Sequence, residues 1–102
     1  MHFQCCSKNS AEEKNVSESY AFLRAISDPN RLKIICVLKG SPQCVCEIVP
    51  IIGISDKLVS HHLKQLKNLS LVNEKREGNF IRYSLNKKVL KEYKRKFNQI
   101  IK

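Results

Sequence analysis

The apolar positions of this chain fall into five stretches at helical spacing and one pair of short stretches at strand spacing. From Val16 onward, Tyr20, Leu23 and Ile26 share one helical face, with Ser17 placed to cap it and Glu18 favourable in its first turn. Asp28-Pro29 ends that helix, because a residue before proline avoids helical backbone. The same pair starts the next, with Asp28 as cap and Pro29 in the first helical position. This second helix, about 29 to 39, is apolar nearly all round through Leu32, Ile34, Ile35, Cys36, Val37 and Leu38, which predicts burial in the core. Gly40-Ser41-Pro42 closes it, and a short third helix covers roughly 45 to 52 before Gly53 turns the chain. Pro50 falls inside that third helix and removes a hydrogen bond to residue 46, predicting a kink or a late start. Ser55-Asp56 caps a fourth helix, about 56 to 69. Strands near 71–76 and 80–85 flank a turn at Glu77-Gly78-Asn79, with Ile81, Tyr83 and Leu85 alternating against Arg82 and Ser84. A last helix, about 87 to 101, sets Val89, Tyr93, Phe97 and Ile100 on one face. Residues 1 to 15 are polar and are expected to form a mobile tail, leaving residues 16 to 102 as one domain.

Helix, helix, helix-turn-helix, hairpin, helix is a mainly α order with a small β-hairpin, and it predicts a winged helix-turn-helix. Projection of the fourth helix then separates two faces. Val59, Leu63, Leu66 and Leu69 point one way and are expected to pack inward. Lys57, Ser60, His61, Lys64 and Asn68 follow at offsets of three, four, seven and eleven on the other side, a face of donors without an acid. Such a face suits phosphates and base edges. His61 and His62 point about 100° apart on a helix and do not readily share one metal, so His62 reads as a core-boundary residue and His61 as a DNA contact. On the hairpin, Lys75, Arg76 and Arg82 surround the Gly78-Asn79 tip and are expected to touch the DNA backbone or minor groove beside the fourth helix.

Charge strengthens that reading. Nineteen Lys and Arg stand against nine Asp and Glu, a net charge of +10 and a pI near 9.6, which favours a polyanionic partner, nucleic acid or an anionic membrane. The longest apolar runs, such as Ile34 to Leu38, are too short to span a bilayer, and the opening residues lack the apolar core of a signal peptide. The chain is therefore expected in the cytoplasm, away from membranes, with reduced thiols. At 102 residues it fits a single domain for which pairing with a second copy is an advantage.

Five cysteines in a reducing compartment call for a use other than a disulfide framework. Cys44 and Cys46 stand at or just before the start of the third helix. Residues two apart point to nearly opposite sides inside a helix, so the pair can share an ion only where the chain is extended or entering the helix. A helix N-terminus also favours the thiolate. Cys5 and Cys6 lie in the polar tail, where no packing role accounts for them. Four such thiolates suit a soft ion such as cadmium, lead or zinc, and three suit arsenic, antimony or bismuth in the trivalent state. Cys36 reads as a core residue outside the site.

The run DPNRLKIICVL, then CVCEI, SHHLKQLKNLSLV and KREGNFIRYSL, resembles the ArsR/SmtB family of metal-responsive repressors over about residues 16 to 101. The resemblance implies a homodimer paired through the first and last helices, bound to double-stranded operator DNA when metal-free and released by metal, with no organic cofactor. In the cadmium- and lead-sensing branch a CxC at the third helix joins tail cysteines of the partner subunit. Cys44 and Cys46 match the former, and Cys5 and Cys6 stand for the latter. That branch usually spaces its tail cysteines apart, and a vicinal pair is similar to some arsenic sensors, so the resemblance leaves the inducing ion open. The family's other common site uses Asp, His and Glu on the last helix; no histidine stands there, and that site is expected to be absent.

Two other functions fit parts of the pattern. A redox-sensing repressor keeps the DNA-reading half and oxidises its close thiols to a disulfide. A thiol oxidoreductase or metal carrier ignores DNA, but the chain lacks a CxxC and the strand-helix alternation of the thioredoxin kind. No catalytic nucleophile with its base, Gly-rich phosphate loop or pair of catalytic carboxylates is visible, so an enzyme is not expected.

Overall fold

The computed structural model describes residues 10 to 101. In chain order the elements are α1 (Ser10–Ile26), α2 (Pro29–Gly40), β1 (Gln43–Cys44), α3 (Val45–Ile52), α4 (Asp56–Asn68), β2 (Val72–Glu77), β3 (Phe80–Leu85) and α5 (Lys87–Ile100).

α1 begins six residues before the expected Val16, so Ser17 lies inside it and caps nothing. The added residues, rich in Ala, Glu and Lys, are good helix formers with no apolar stripe, and Glu12 and Glu13 suit the positive end of the helix. The inward face also differs from the expected one. Ser19, Phe22 and Ala25 are buried, whereas Tyr20 is 62% and Leu23 38% exposed. Of the expected face only Ile26 packs against the core. Phe22 lies flat on Tyr93 of α5, with centroids 4.9 Å apart, and Glu18 pairs with Lys96 at 2.7 Å, so α1 runs along α5.

α2 starts as expected. Asp28 takes an extended conformation, its carboxylate accepts from the N–H groups of Asn30 and Arg31, and Pro29 opens the helix. Its all-round burial does not occur. Ile34 and Leu38, one turn apart, are buried, while Leu32 is about half exposed and Cys36 is exposed rather than in the core. Cys36 sits two residues from Ile34, about 200° around the helix axis, and so faces outward.

β1 adds a strand that the apolar pattern missed, because two residues show no periodicity. It pairs antiparallel with β3, giving the order β1-β3-β2. β2 and β3 form the expected hairpin from Val72 opposite Leu85 to Glu77 opposite Phe80, closed by the two-residue turn Gly78-Asn79. Gly78 has φ of 60°, which a two-residue hairpin turn with glycine first requires. Tyr83 and Leu85 pack against the core, while Ile81 lies beyond its edge, 37% exposed.

α3 runs through Pro50 as one α-helix from Val45, so the late start expected beside Cys46 is absent. The ring's fixed φ is itself helical, and the missing N–H costs one bond in a helix anchored by fully buried Ile48. Gly53, with φ of 80°, ends it and donates its N–H to Val49. α4 ends in a Schellman arrangement: Ser70, in the left-handed region at φ 59°, donates to the Lys67 carbonyl, and Leu71 donates to the Leu66 carbonyl. The core joins Phe22, Ile34, Leu38, Ile48, Val59, Leu63, Leu66, Leu71 and Val72, and so fixes α4 between α2, α3 and the hairpin. Among the described residues no helix is long and apolar enough to cross a membrane.

Candidate nucleic-acid interface and thiol pair

α4 separates its two faces as the sequence predicts. Ser55 accepts the Leu58 N–H at its start, Val59, Leu63 and Leu66 are buried, and Lys57, Ser60, His61, Lys64 and Asn68 are all exposed. His62 is buried at the edge of the core. Its Nδ1 accepts from Arg31 Nε at 3.0 Å, and Arg31 Nη1 donates to the Ala25 carbonyl, tying α4 to the start of α2. Burial holds the His62 imidazole below its ordinary pKa, aided by Arg31 and His61 and opposed by Asp28. His61 and His62 point apart, one out and one in, with ring planes tilted by 59°.

The wing is joined to α4 by an ion pair that sequence reasoning did not single out. Lys67 pairs with Glu74, and Tyr83 lines the same cleft as both. The Lys67 bond draws the Glu74 carboxyl below its usual range; burial, then the Glu74 charge, push the Tyr83 hydroxyl up. An open cleft of about 340 Å³ lies between α4 and the wing, lined by Ser60, Lys64, Lys67, Glu74 and Tyr83. Lys75 and Arg76 are exposed on β2. Arg82, read from sequence as another cation of the wing surface, is engaged within the protein: Nη1 meets Glu47 at 3.1 Å and Nε meets Glu77.

The chain is extended at Cys44, which precedes α3, and Cys46 lies in the first helical turn, the placement the sequence required. Their sulfurs are in contact, with Cα atoms 5.4 Å apart. Cys44 is buried and Cys46 exposed. Glu47 accepts the Cys44 N–H at 3.0 Å, one half of a capping box. The spacing C-x-x-E carried that signal, masked because cysteine stands where serine or threonine is usual. Among the described residues no three His, Cys, Asp or Glu side chains gather as a metal site. Two adjoining sulfurs with one exposed fit part of a soft-ion site that needs further donors. Cys5 and Cys6 lie outside the described residues.

A helix-turn-helix backed by a three-stranded wing and carrying Lys57, Ser60, His61, Lys64 and Asn68 on an exposed face defines a winged-helix DNA reader. The chain belongs to the arsR family of bacterial regulatory proteins, whose family model matches residues 28–74. It is 44% identical over 69 residues to the transcriptional repressor SdpR of Bacillus subtilis, covering 68% of this chain and 77% of that protein. It is 35% identical over 86 residues to a cadmium resistance transcriptional regulatory protein, a CadC homolog, of Staphylococcus aureus, covering 83% and 71%. Among solved structures, reduced HlyU of Vibrio cholerae superimposes with a TM-score of 0.71 at 29% identity, covering 80% of this chain and 87% of that one. The chain is thus a transcriptional regulator of the ArsR/SmtB type and not an enzyme, with the fold that the sequence implied.

Proposed function

We propose that this protein is a repressor that binds double-stranded operator DNA as a homodimer and releases it when a soft ion binds cysteine thiolates. α4 enters the major groove, with Lys57, Ser60, His61, Lys64 and Asn68 facing bases and phosphates, while Lys75 and Arg76 hold the flanking backbone. The observation that carries the switch is the contact between the Cys44 and Cys46 sulfurs at the entrance of α3, on a strand paired directly with the wing. The cadmium-resistance name of the staphylococcal relative supports the class of ion. Cys5 and Cys6 supply the remaining donors, and the tail that carries them reaches the site of the partner subunit. A bound soft ion, cadmium, lead or zinc with four thiolates or trivalent arsenic, antimony or bismuth with three, supplies strong sulfur bonds that cross-link these segments. The protein's own part is to hold Cys44 and Cys46 adjacent, so that two of the donors stand together before the ion binds. Effector and DNA then weaken each other by one factor, roughly 5- to 150-fold for ordinary couplings.

The contact between the Cys44 and Cys46 sulfurs also supports a second reading, a redox trigger at the same place that joins them as a disulfide. Two thiols and one peroxide give the disulfide and two waters, or water and an alcohol, the thiols losing two electrons as the O–O bond breaks. Cadmium titration of the reduced full chain, followed by thiolate-to-cadmium ultraviolet absorbance, separates the two. The metal reading expects saturable uptake that is abolished in Cys44→Ser, reduced in Cys5→Ser or Cys6→Ser, and weaker as pH falls because protons compete for sulfur. Absence of cadmium uptake, with DNA release by peroxide, supports the redox trigger instead.

A further inference from the structure

Glu47 stands where the sulfur pair meets the wing. One carboxylate oxygen, Oε1, accepts both the Cys44 N–H at 3.0 Å and Arg82 Nη1 at 3.1 Å. Arg82 lies directly across the sheet from Cys44, and its Nε reaches Glu77, next to the Gly78 turn. A continuous polar chain therefore runs Cys44, Glu47, Arg82, Glu77, from the sulfurs to the tip of the wing. In a protein of net charge +10, this guanidinium is covered by two carboxylates while Lys75, directly opposite it on β2, is exposed. A guanidinium held by two carboxylates displaces few counterions from DNA, whereas a released one can grip a phosphate through two parallel bonds.

We propose that Glu47 is a positioning residue that withholds Arg82 from the DNA backbone while Cys44 and Cys46 are joined, and yields it when they part. This rests on the regulatory reading above and adds the route by which the sulfurs reach DNA. Joining the sulfurs ties the residue before α3 to its second helical residue, and Glu47 is the third, so its carboxylate is held in the same turn. Once the sulfurs separate, that turn loses its cross-link. A phosphate of bound DNA then competes with Glu47 for Arg82.

The test uses the full chain with Cys5→Ser, Cys6→Ser and Cys36→Ser, so that one disulfide alone can form. Operator affinity is measured by anisotropy across a salt series, reduced and after oxidation by peroxide, which yields the Cys44–Cys46 disulfide and two waters. In the joined form, Glu47→Gln is expected to steepen the slope of log affinity against log salt by about one, the signature of one gained phosphate contact. It is also expected to shrink the affinity difference between reduced and joined forms from at least about fivefold to within about twofold. The glutamine keeps an oxygen for the Cys44 N–H, so the helix start is retained. Arg82→Gln gives an independent readout: it should weaken the reduced form and leave the joined form within about twofold, since joined Arg82 touches no phosphate. An unchanged slope in joined Glu47→Gln, or equal weakening of both forms by Arg82→Gln, overturns the clamp. If the parent binds with equal affinity and equal salt slope in both forms, the clamp is overturned as well, since Arg82 is then not yielded when the sulfurs part.

Discussion

His62 is the buried ionisable side chain that links the reading helix to the rest of the domain. Its Nδ1 accepts from Arg31, and burial favours the neutral ring, so its folded pKa lies below the ordinary 6.5. A lowered folded value means that neutral His62 contributes its full stability above pH 6.5, a contribution lost as pH falls below it toward the folded value. Thermal midpoints measured from about pH 8 to about pH 5 should therefore drop more steeply for the wild type than for His62→Gln, which keeps an acceptor but does not titrate. Parallel profiles would show that His62 is not the linked group. Leu63, on the same helix, is 1% exposed, and Leu63→Ala is expected to cost about 2–5 kcal/mol by urea denaturation. These residues were legible because α4 has one apolar face. α1 and α2 were not, since each carries apolar side chains around most of its circumference. Periodicity then names a helix without saying which side is buried, and Tyr20, Leu23 and Cys36 were assigned inward when they face outward.

At the scale of elements, local chemistry set the boundaries well. The Asp28-Pro29 and Ser55 caps and the Gly78-Asn79 turn stand where residue type required them. The elements that escaped were those without a period: two-residue β1, defined only by its distant partner β3, and the polar first turns of α1. Pro50 lies inside α3 without delaying its start at Val45, in a short helix whose Ile48 is fully buried. The end of α4 offers a direct check. Ser70 occupies left-handed backbone at φ 59°, where glycine is favoured, and Ser70→Gly should stabilise the domain by about 1 kcal/mol. A loss of stability would mean that the serine side chain contributes more than its backbone costs. On the reading helix, Lys64→Ala should weaken binding about equally for all DNA sequences and reduce the salt slope by about one. A sequence-dependent loss would move Lys64 from phosphate to base contact.

At the scale of the whole molecule, the packed pair α1 and α5 leaves apolar surface exposed at Tyr20, Leu23 and Ile100. That surface matches the homodimer expected through the first and last helices, which would present two copies of α4 to half-sites about 34–36 Å apart. The substitutions Tyr20→Lys and Leu23→Glu together should shift sedimentation toward a monomer and weaken operator binding, whereas an unchanged dimer would place the interface elsewhere. The fold and the split of α4 into a buried and an exposed face were visible in the sequence because both rest on repeated local spacing. The route from sulfur to wing was not, since Glu47, Arg82 and Cys44 meet only across a sheet.

The central claim is that the cysteine pair at the start of α3 governs DNA affinity. Fluorescence anisotropy of the DNA upstream of the gene, bound by the reduced full chain and titrated with cadmium and then arsenite, tests it most directly. Release by either ion, abolished in Cys44→Ser, is the predicted result. A complex that stays bound with both ions and also survives formation of the Cys44–Cys46 disulfide would contradict it, leaving a DNA reader whose sulfurs take no part in its control.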